Sequence, residues 1–187
     1  EEIGANDGAA DAAFGRLLTA LREELGVPPM WSAVGEVPFD ILSDYYRGTM
    51  GTFEDLAEQP ENIAAACDLF ADIQIAHYRS LRESDLPVRR INFPMHKGMD
   101  GFMSPGQYET LYWRPMRKVI DALLEMEITP ILYTEGPYDT RVEQLCDLPR
   151  GKVLVHFEQA DMARAKKILG EWITLTILAY DRYWRPF

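Results

Sequence analysis

The stretch INFPMHKGMDGFMSPGQYETLYWRPMRKVIDALLEMEITPILYTEG, residues 91–136, decides how the rest of the chain is read. It opens on a short apolar run at 91–94 and crosses a loop with glycines at 98 and 101. A helical pattern then begins at Ser104-Pro105, and a second apolar run ends at Glu135-Gly136. Proline suits the first turn of a helix, where its missing amide hydrogen costs nothing, and a serine before it can cap the free amides. Strand, loop, helix and strand in that order form a crossover unit of the kind that joins parallel strands. In such architectures ligands and chemistry collect at the carboxyl ends of the strands, so the loop after residue 94 and the Glu135-Gly136 strand end are the first places to look for function.

The same alternation continues outward. It predicts strands at 90–94, 130–134, 152–157 and 172–178, and helices at 105–126, 139–147 and 161–169. Upstream, residues 1–8 read as a frayed polar start, and Phe14, Leu17, Leu18, Leu21 and Leu25 recur at helical spacing over 9–25. Gly26 caps that helix and Pro28-Pro29 forbids its continuation. A short strand is expected at 31–34, a short helix at 38–46 stopped by Gly48, and a long helix from Pro60 with Ile63, Ala66, Cys67, Phe70, Ile73 and His77 on one face. No repeat, low-complexity tract or long linker interrupts the pattern, so residues 1–187 are expected to form a single domain. Alternating strands and helices imply an α/β fold with parallel strands. A closed (β/α)8 barrel takes about 250 residues. With about five strand candidates, the chain fits a partial (β/α)8 TIM-type barrel, an open α/β sheet or a fragment.

A formal charge of −11 argues against nucleic acid or an anionic membrane as partner, since both call for a basic surface. No apolar run reaches the roughly 18 residues that span a bilayer, and Glu1-Glu2 is unlike a basic leader, so a cytoplasmic location is expected. Cys67 and Cys146 share no metal-like spacing and read as simple buried or half-buried thiols.

The run Pro38-Phe39-Asp40-Ile41-Leu42-Ser43-Asp44-Tyr45-Tyr46-Arg47-Gly48 comes first, followed by Phe53-Glu54-Asp55-Leu56 and Pro60-Glu61. Then come Met103-Ser104-Pro105, Tyr108, Tyr112, Arg114-Pro115 and Ile120, and after them Pro130-Ile131-Leu132, Glu135-Gly136, Leu145 and the stretch 161–170. In order and spacing these resemble the uroporphyrinogen decarboxylase superfamily, with the match covering residues 38–170. The resemblance implies a (β/α)8 barrel and one of two chemistries. One is cofactor-free decarboxylation of the acetate groups of uroporphyrinogen in porphyrin (heme) biosynthesis, a lyase reaction. The other is zinc-dependent methyl transfer between a corrinoid and a thiol such as coenzyme M. It also implies a tetrapyrrole or corrinoid as substrate, the corrinoid free or borne by a corrinoid protein, and is compatible with a homodimer.

The chain departs from both branches. The decarboxylase's arginine-bearing loop has no counterpart, its active-site tyrosine falls near Asp44 or Tyr45, its loop serine near Gly98, and its late histidine beyond Phe187. The methyltransferases' His-x-Cys-Gly zinc motif falls on Tyr133-Thr134-Glu135-Gly136, so tyrosine stands for histidine and glutamate for cysteine. More decarboxylase positions fail than methyltransferase ones, which tips the expectation slightly towards methylcobamide-dependent methyl transfer. A degenerate, non-catalytic module that binds a corrinoid or a partner enzyme is the alternative of another class. Residues 171–187, ending in the aromatic-rich 180–187, break the family pattern in the way a truncated or frame-shifted reading would.

The remaining polar residues supply candidates. Glu135 and His156 end two neighbouring predicted strands and Asp139 follows closely, so the three can converge at one rim. They are expected to act as catalytic groups, and Glu135 with His156 as ligands for a divalent ion such as zinc. The bland alternative makes Glu135 a helix cap and His156 a hydrogen-bonded strand residue. His96, Lys97 and Asp100 occupy the loop after the first strand and are expected to bind substrate or to form an ordinary solvated connection. Asp40, Asp44 and Arg47 lie at spacings of four and three, which suits local ion pairing on a helix. The family resemblance adds a substrate-facing role for Asp40, Asp44 and Arg47, with Tyr45 or Tyr46 as a stacking or hydrogen-bonding wall. Met95, Met99 and Met103 flank the loop as pocket lining or as core.

Overall fold

The computed structural model describes residues 2–81, 86, 88–170 and 174–177, with side chains described for 12–81, 86 and 88–170. The chain forms α1 (Glu2–Leu25), β1 (Ala33–Val34), α2 (Pro38–Ile41), α3 (Gly48–Glu58), α4 (Pro60–Leu81), β2 (Arg90–Pro94), α5 (Pro105–Gln107), α6 (Arg114–Glu125), β3 (Thr129–Pro137), β4 (Leu154–Gln159), α7 (Met162–Leu169) and β5 (Thr174–Ile177). Two wide π-helical turns, Leu42–Arg47 and Tyr108–Trp113, bridge α2 to α3 and α5 to α6, and Asp139–Asp147 is a 3₁₀ helix.

The described strands form one five-stranded sheet in the order β1-β2-β3-β4-β5, every neighbouring pair parallel. This order never reverses. A doubly wound sheet turns back at a switch point and places helices on both faces, whereas a sheet that adds each strand on the same side keeps its right-handed crossovers on one face. The result is an arc of a (β/α) barrel.

Register decides which residues look where. Phe93, Leu132 and Val155 are aligned across β2, β3 and β4 and are fully buried. They face the helices: Tyr78 of α4 meets Phe93 edge-on at 6.2 Å. The opposite row aligns Pro94, Tyr133 and His156. On that face Tyr133 and His156 are only half-buried.

Several expectations are refined. The first helix runs back to Glu2, so 2–8 is helical rather than frayed. Gly48 does not stop the chain; at φ +69° it turns the π-helical segment directly into α3. On α4 the buried stripe is Ile63, Cys67, Ala71, Ile75 and Tyr78, whereas Ile73 is 55% exposed and His77 is also at the surface. The predicted helix at 139–147 is wound as 3₁₀. Its buried Val142 and Leu145, with Leu148 just after, recur every three residues, which is the period of that tighter helix. Ser104 accepts from the Gln107 amide while the Gln107 side chain accepts from the Ser104 amide, so the predicted helix start is closed by a reciprocal cap. Arg89 sits at the amino end of β2 and donates to the Met126 and Glu127 carbonyls, a structural role. Met95 and Met103 belong to the core. Cys67 is buried and Cys146 half-buried, both as free thiols. The 180–187 tail lies outside the described residues, as do positions 172, 173 and 178 of the last predicted strand.

Candidate functional site

The densest polar cluster sits at the carboxyl ends of β1, β2 and β3. After β1 the chain turns at Gly35, where any side chain would run into Phe93 and Tyr78, and Pro38 starts α2. Asp40 lies on α2 and Asp44 on the π-helical turn that follows it. The exit loop of β2 brings His96 and Lys97 above them. The second π-helical turn contributes Tyr112, and the residue after β3 is Tyr138. Wide turns of this kind displace side chains from ordinary helical positions and recur at functional sites. Here one carries Asp44 and the other Tyr112.

Asp40 is fully buried. Its Oδ2 accepts from the Tyr112 hydroxyl at 2.8 Å and lies 4.0 Å from His96 Nδ1, while its Oδ1 is buried with no hydrogen-bond partner. The other ring nitrogen of His96, Nε2, lies 2.6 Å from Asp44 Oδ2, and Lys97 donates to Asp44 Oδ1. Lys97 is itself buried, with its ammonium paired to that carboxylate through one of its three donors. The two aspartates consequently differ in acidity. Burial drives the Asp40 carboxyl up to about 7, against the opposing pull of His96, Tyr112 and Lys97, and the charge on Asp44 adds to the rise. For Asp44 burial also pushes upward, but the hydrogen bonds from Lys97 and His96 outweigh it and its carboxyl stays below the usual value. One carboxyl therefore trades a proton near neutrality beside another that stays ionised. That division of labour is what acid–base catalysis requires.

The structure sorts the predicted site residues. Asp44, His96 and Lys97 come together. Asp40 joins them, contrary to its reading as a helix-surface ion pair: it bonds to Tyr112, 72 positions away. Arg47 makes no pair with Asp44; it grips Asp55 through Nε at 2.5 Å and Nη2 at 2.9 Å and braces α3. Tyr45 is 68% exposed and donates to Glu36, outside the cluster. Asp100 is occupied by Thr140, through both its amide and its hydroxyl, and lies 3.8 Å from Arg141, so it clamps the loop to the 3₁₀ helix.

The β3–β4 rim does not assemble as expected. Tyr133, not Glu135, is in register with His156 and meets its ring at 5.2 Å. The ladder shifts between Thr134 and Pro137, where Gly136 takes φ +75° and donates to Glu158 Oε2 at 2.6 Å. A bulge re-aims the side chains it carries, and Glu135 is on this one. Asp139 accepts from the Asp161 amide at 2.7 Å, tying the 3₁₀ helix to α7. No hydrogen bond or ion pair among the described residues joins Glu135, Asp139 and His156. His156 Nε2 is buried without a partner, and burial holds the imidazole below its usual pKa.

A zinc site of the thiolate type does not fit these residues. Among the described residues no group of three or more His, Cys, Asp or Glu is placed to hold a metal ion. Burial pushes the Cys67 thiol up to about 12, which makes it a poor source of thiolate, and Cys146 lies on the 3₁₀ helix. No helix among the described residues is long and apolar enough to cross a membrane.

The sequence model of one family, uroporphyrinogen decarboxylase (URO-D), matches residues 13–176. The chain belongs to the URO-D family. A search of curated proteins finds none that matches. The URO-D match runs through α2, the β2 loop and β3, and so takes in every residue of the Asp40 cluster. Sequence reasoning reached Asp44, His96 and Lys97, weighed Asp40 chiefly as a local ion pair, and passed over Tyr112 and Tyr138. One signal was available for Asp40. It stands between Phe39 and Ile41 and four residues before Asp44, a spacing that stacks the two carboxyls on one helical face.

Proposed function

We propose that this URO-D-family chain carries the acid–base centre of an enzyme that decarboxylates a tetrapyrrole-class substrate, with Asp40 as the group that delivers the proton. The observation that supports this reading most is the Asp40 carboxyl itself, fully buried, bonded by Tyr112, 4.0 Å from His96 and titrating at about 7. Replacing a carboxyl by hydrogen breaks a carbon–carbon bond and leaves the electron pair on carbon. Carbon dioxide departs, and a proton must be supplied to make the new C–H bond. An acid that is half-protonated near pH 7 suits that step. His96 and Lys97 offer N–H donors to substrate carboxylates, and Asp44 keeps both aligned. Zinc-dependent methyl transfer from a corrinoid, slightly preferred on the sequence alone, loses ground because the donors that would activate a thiol do not fit the β3–β4 rim.

The test uses the full-length protein. Incubation with uroporphyrinogen under reducing conditions, followed by chromatography of the oxidised porphyrins, is expected to show stepwise loss of carboxyl groups. That loss should fall by about 100-fold or more in Asp40→Asn. No porphyrinogen turnover, with methylcobalamin demethylated by a thiol instead, would replace this reading with methyl transfer. Cobalamin binding seen in a spectral titration, with neither reaction, would make the chain a binding module.

A further inference from the structure

An acid that gives up its proton in every turnover must be recharged, and Asp40 is poorly placed to meet water. Its side chain is fully buried, and Oδ1 has no hydrogen-bond partner. The titratable and charged groups facing it are His96 and Lys97 from the β2 loop, Asp44 from the turn that follows its own helix, Cys67 from α4, Tyr108 and Tyr112 from the second π-helical turn, and Tyr138 after β3. Cys67 and the three tyrosines are buried, so a proton passed among them comes no nearer to solvent. Lys97 is buried too, with its ammonium on Asp44.

His96 is different. Its side chain is 32% exposed, and its two nitrogens serve two carboxyls. Nδ1 lies 4.0 Å from Asp40 Oδ2, and Nε2 lies 2.6 Å from Oδ2 of Asp44, a carboxylate whose side chain is itself 30% exposed. The ring thus joins the buried carboxyl to the surface. The backbone that carries it is pinned. Met95, directly before it, donates its amide to the Tyr133 carbonyl at 2.8 Å and accepts from the Tyr138 hydroxyl at 2.8 Å. Gly98, two residues later, leaves no room for a Cβ between the Tyr138 hydroxyl and the Tyr112 ring. Movement is left to the His96 ring.

At 4.0 Å, Nδ1 and Oδ2 are not hydrogen-bonded, and a ring movement of about 1 Å brings them within reach. Acid–base contacts are often long before substrate arrives and tighten in the complex. An imidazole holds a hydrogen on both nitrogens when charged and on one when neutral, so it can gain a proton in one place and release it in another.

We propose that His96 is a proton relay that carries protons from solvent to the buried Asp40, while Asp44 holds its far nitrogen. Loss of carbon dioxide leaves the electron pair of the broken C–C bond on carbon, and the Asp40 proton goes to that carbon. The charged imidazole then passes its Nδ1 proton to Asp40 Oδ2. It keeps the Nε2 hydrogen, which Asp44 accepts, and the neutral ring pivots on that bond to take its next proton from water at Nδ1. One solvent proton is consumed for each carbon dioxide released. Asp44 stays ionised throughout, in keeping with a carboxyl held below its usual value. This inference rests on the acid role proposed for Asp40, but it is read without turnover.

The experiment follows the carboxyl carbon of ¹³C-labelled Asp40 against pH in the full-length protein, assigned with Asp40→Asn. A carboxyl that trades its proton quickly gives one averaged signal that moves through the titration. One that trades slowly gives two fixed signals that exchange intensity. The parent protein is expected to show the single moving signal. His96→Gln keeps a polar group towards Asp44 but carries no proton, and is expected to show two, a slowing of about 100-fold or more. In His96→Ala, free imidazole added to the buffer is expected to merge the two signals again, which a merely structural role would not produce. Two signals in the parent, one averaged signal in either variant without imidazole, or a split that imidazole leaves unchanged overturns the relay. Two variants and the parent are read independently, so a variant that fails to fold leaves the others decisive. An Asp40 that does not titrate near neutrality removes the acid role and the relay with it, whereas a titration whose exchange ignores His96 removes the relay alone.

Discussion

The two rims of this sheet are built from similar residues and behave differently. Above β1 and β2, Asp40, Asp44, His96, Lys97 and Tyr112 are linked by hydrogen bonds and ion pairs, and the central carboxyl is fully buried. Above β3 and β4, Glu135, Asp139 and His156 are near one another in sequence and topology, yet a bulge, a capping bond and an intervening tyrosine keep them apart. Polar residues at strand ends are therefore not enough. The working cluster is made where one carboxyl, Asp40, is pressed under a loop and out of water beside a second, Asp44, at the surface, and the neighbours that bury a charge also tune it.

The sharpest break between the rims is Asp40→Asn. Turnover is expected to fall by about 10²–10⁴-fold, the usual worth of a positioned acid. The same change should stabilise the fold at neutral pH. In the folded protein Asp40 keeps its proton up to about 7, while in the unfolded chain it returns to 3.8. Unfolding then releases a proton between those values, so burial of Asp40 carries no ionisation penalty below pH 3.8 and a growing one towards pH 7. The slope is at most about 1.4 kcal/mol per pH unit. Asparagine does not titrate, so its advantage over aspartate grows across that window. Urea unfolding at about pH 4 and pH 7.5, either end of that window, measures it. Equal stabilities of the two proteins at both pH values would show that Asp40 is not a buried acid.

Gly98→Ala tests the floor of the same rim. Its Cβ would collide with the Tyr138 hydroxyl and the Tyr112 ring, both fixed in the core, and overpacking of that kind costs about 1–3 kcal/mol. Gly106→Ala is the control, since nothing lies within 4 Å of its Cβ, and no loss is expected there. Thermal melting of the two variants compares them directly.

Asp44→Asn is a smaller probe. Its folded carboxyl sits below the ordinary value of 3.8, so its contribution is present above that pH and lost as pH falls through the lower folded value. The variant should be less stable than the parent at neutral pH by about 1 kcal/mol or less, because Asp44 is largely open to solvent. The difference should close in strong acid. A gap that persists at about pH 2 would mean that packing, not charge, was lost.

These variants also mark what a reading of the sequence can reach. Period and punctuation give the strands and most helix limits, because apolar spacing and Ser-Pro or Gly signals are local. The order of strands is not legible there, because right-handed crossovers are shared by doubly wound sheets and barrels, and the sheet itself supplies it. The site is less accessible, since it depends on departures from regular geometry. No local signal marks the π-helical turns that bring Asp44 and Tyr112 inward, or the bulge that carries Glu135 off register. Burial of Asp40 depends on residues more than 50 positions away, His96 and Tyr112 among them, and its helix alone suggests a surface ion pair. Asp44, His96 and Lys97 were reachable because they follow strand ends, where the fold class itself directs attention.

The smallest expected effect decides whether the β3–β4 rim belongs to the site at all. Glu135 is half-buried and sits on the bulge. Glu135→Ala should leave stability within about 0.5 kcal/mol, as substitutions away from packed features do, and should leave turnover nearly unchanged. His156 differs in one respect: its Nε2 is buried and unpartnered, and burial keeps the ring neutral. His156→Phe exchanges an unsatisfied polar ring for an apolar one beside Tyr133, and should be neutral or slightly stabilising. Turnover measured for both variants alongside Asp40→Asn separates the two cases. If either loses activity by about tenfold or more with its fold intact, a loss of roughly 1.4 kcal/mol in the transition state, the two rims work on one substrate, and a loss confined to His156→Phe points to its unpartnered nitrogen as the contact.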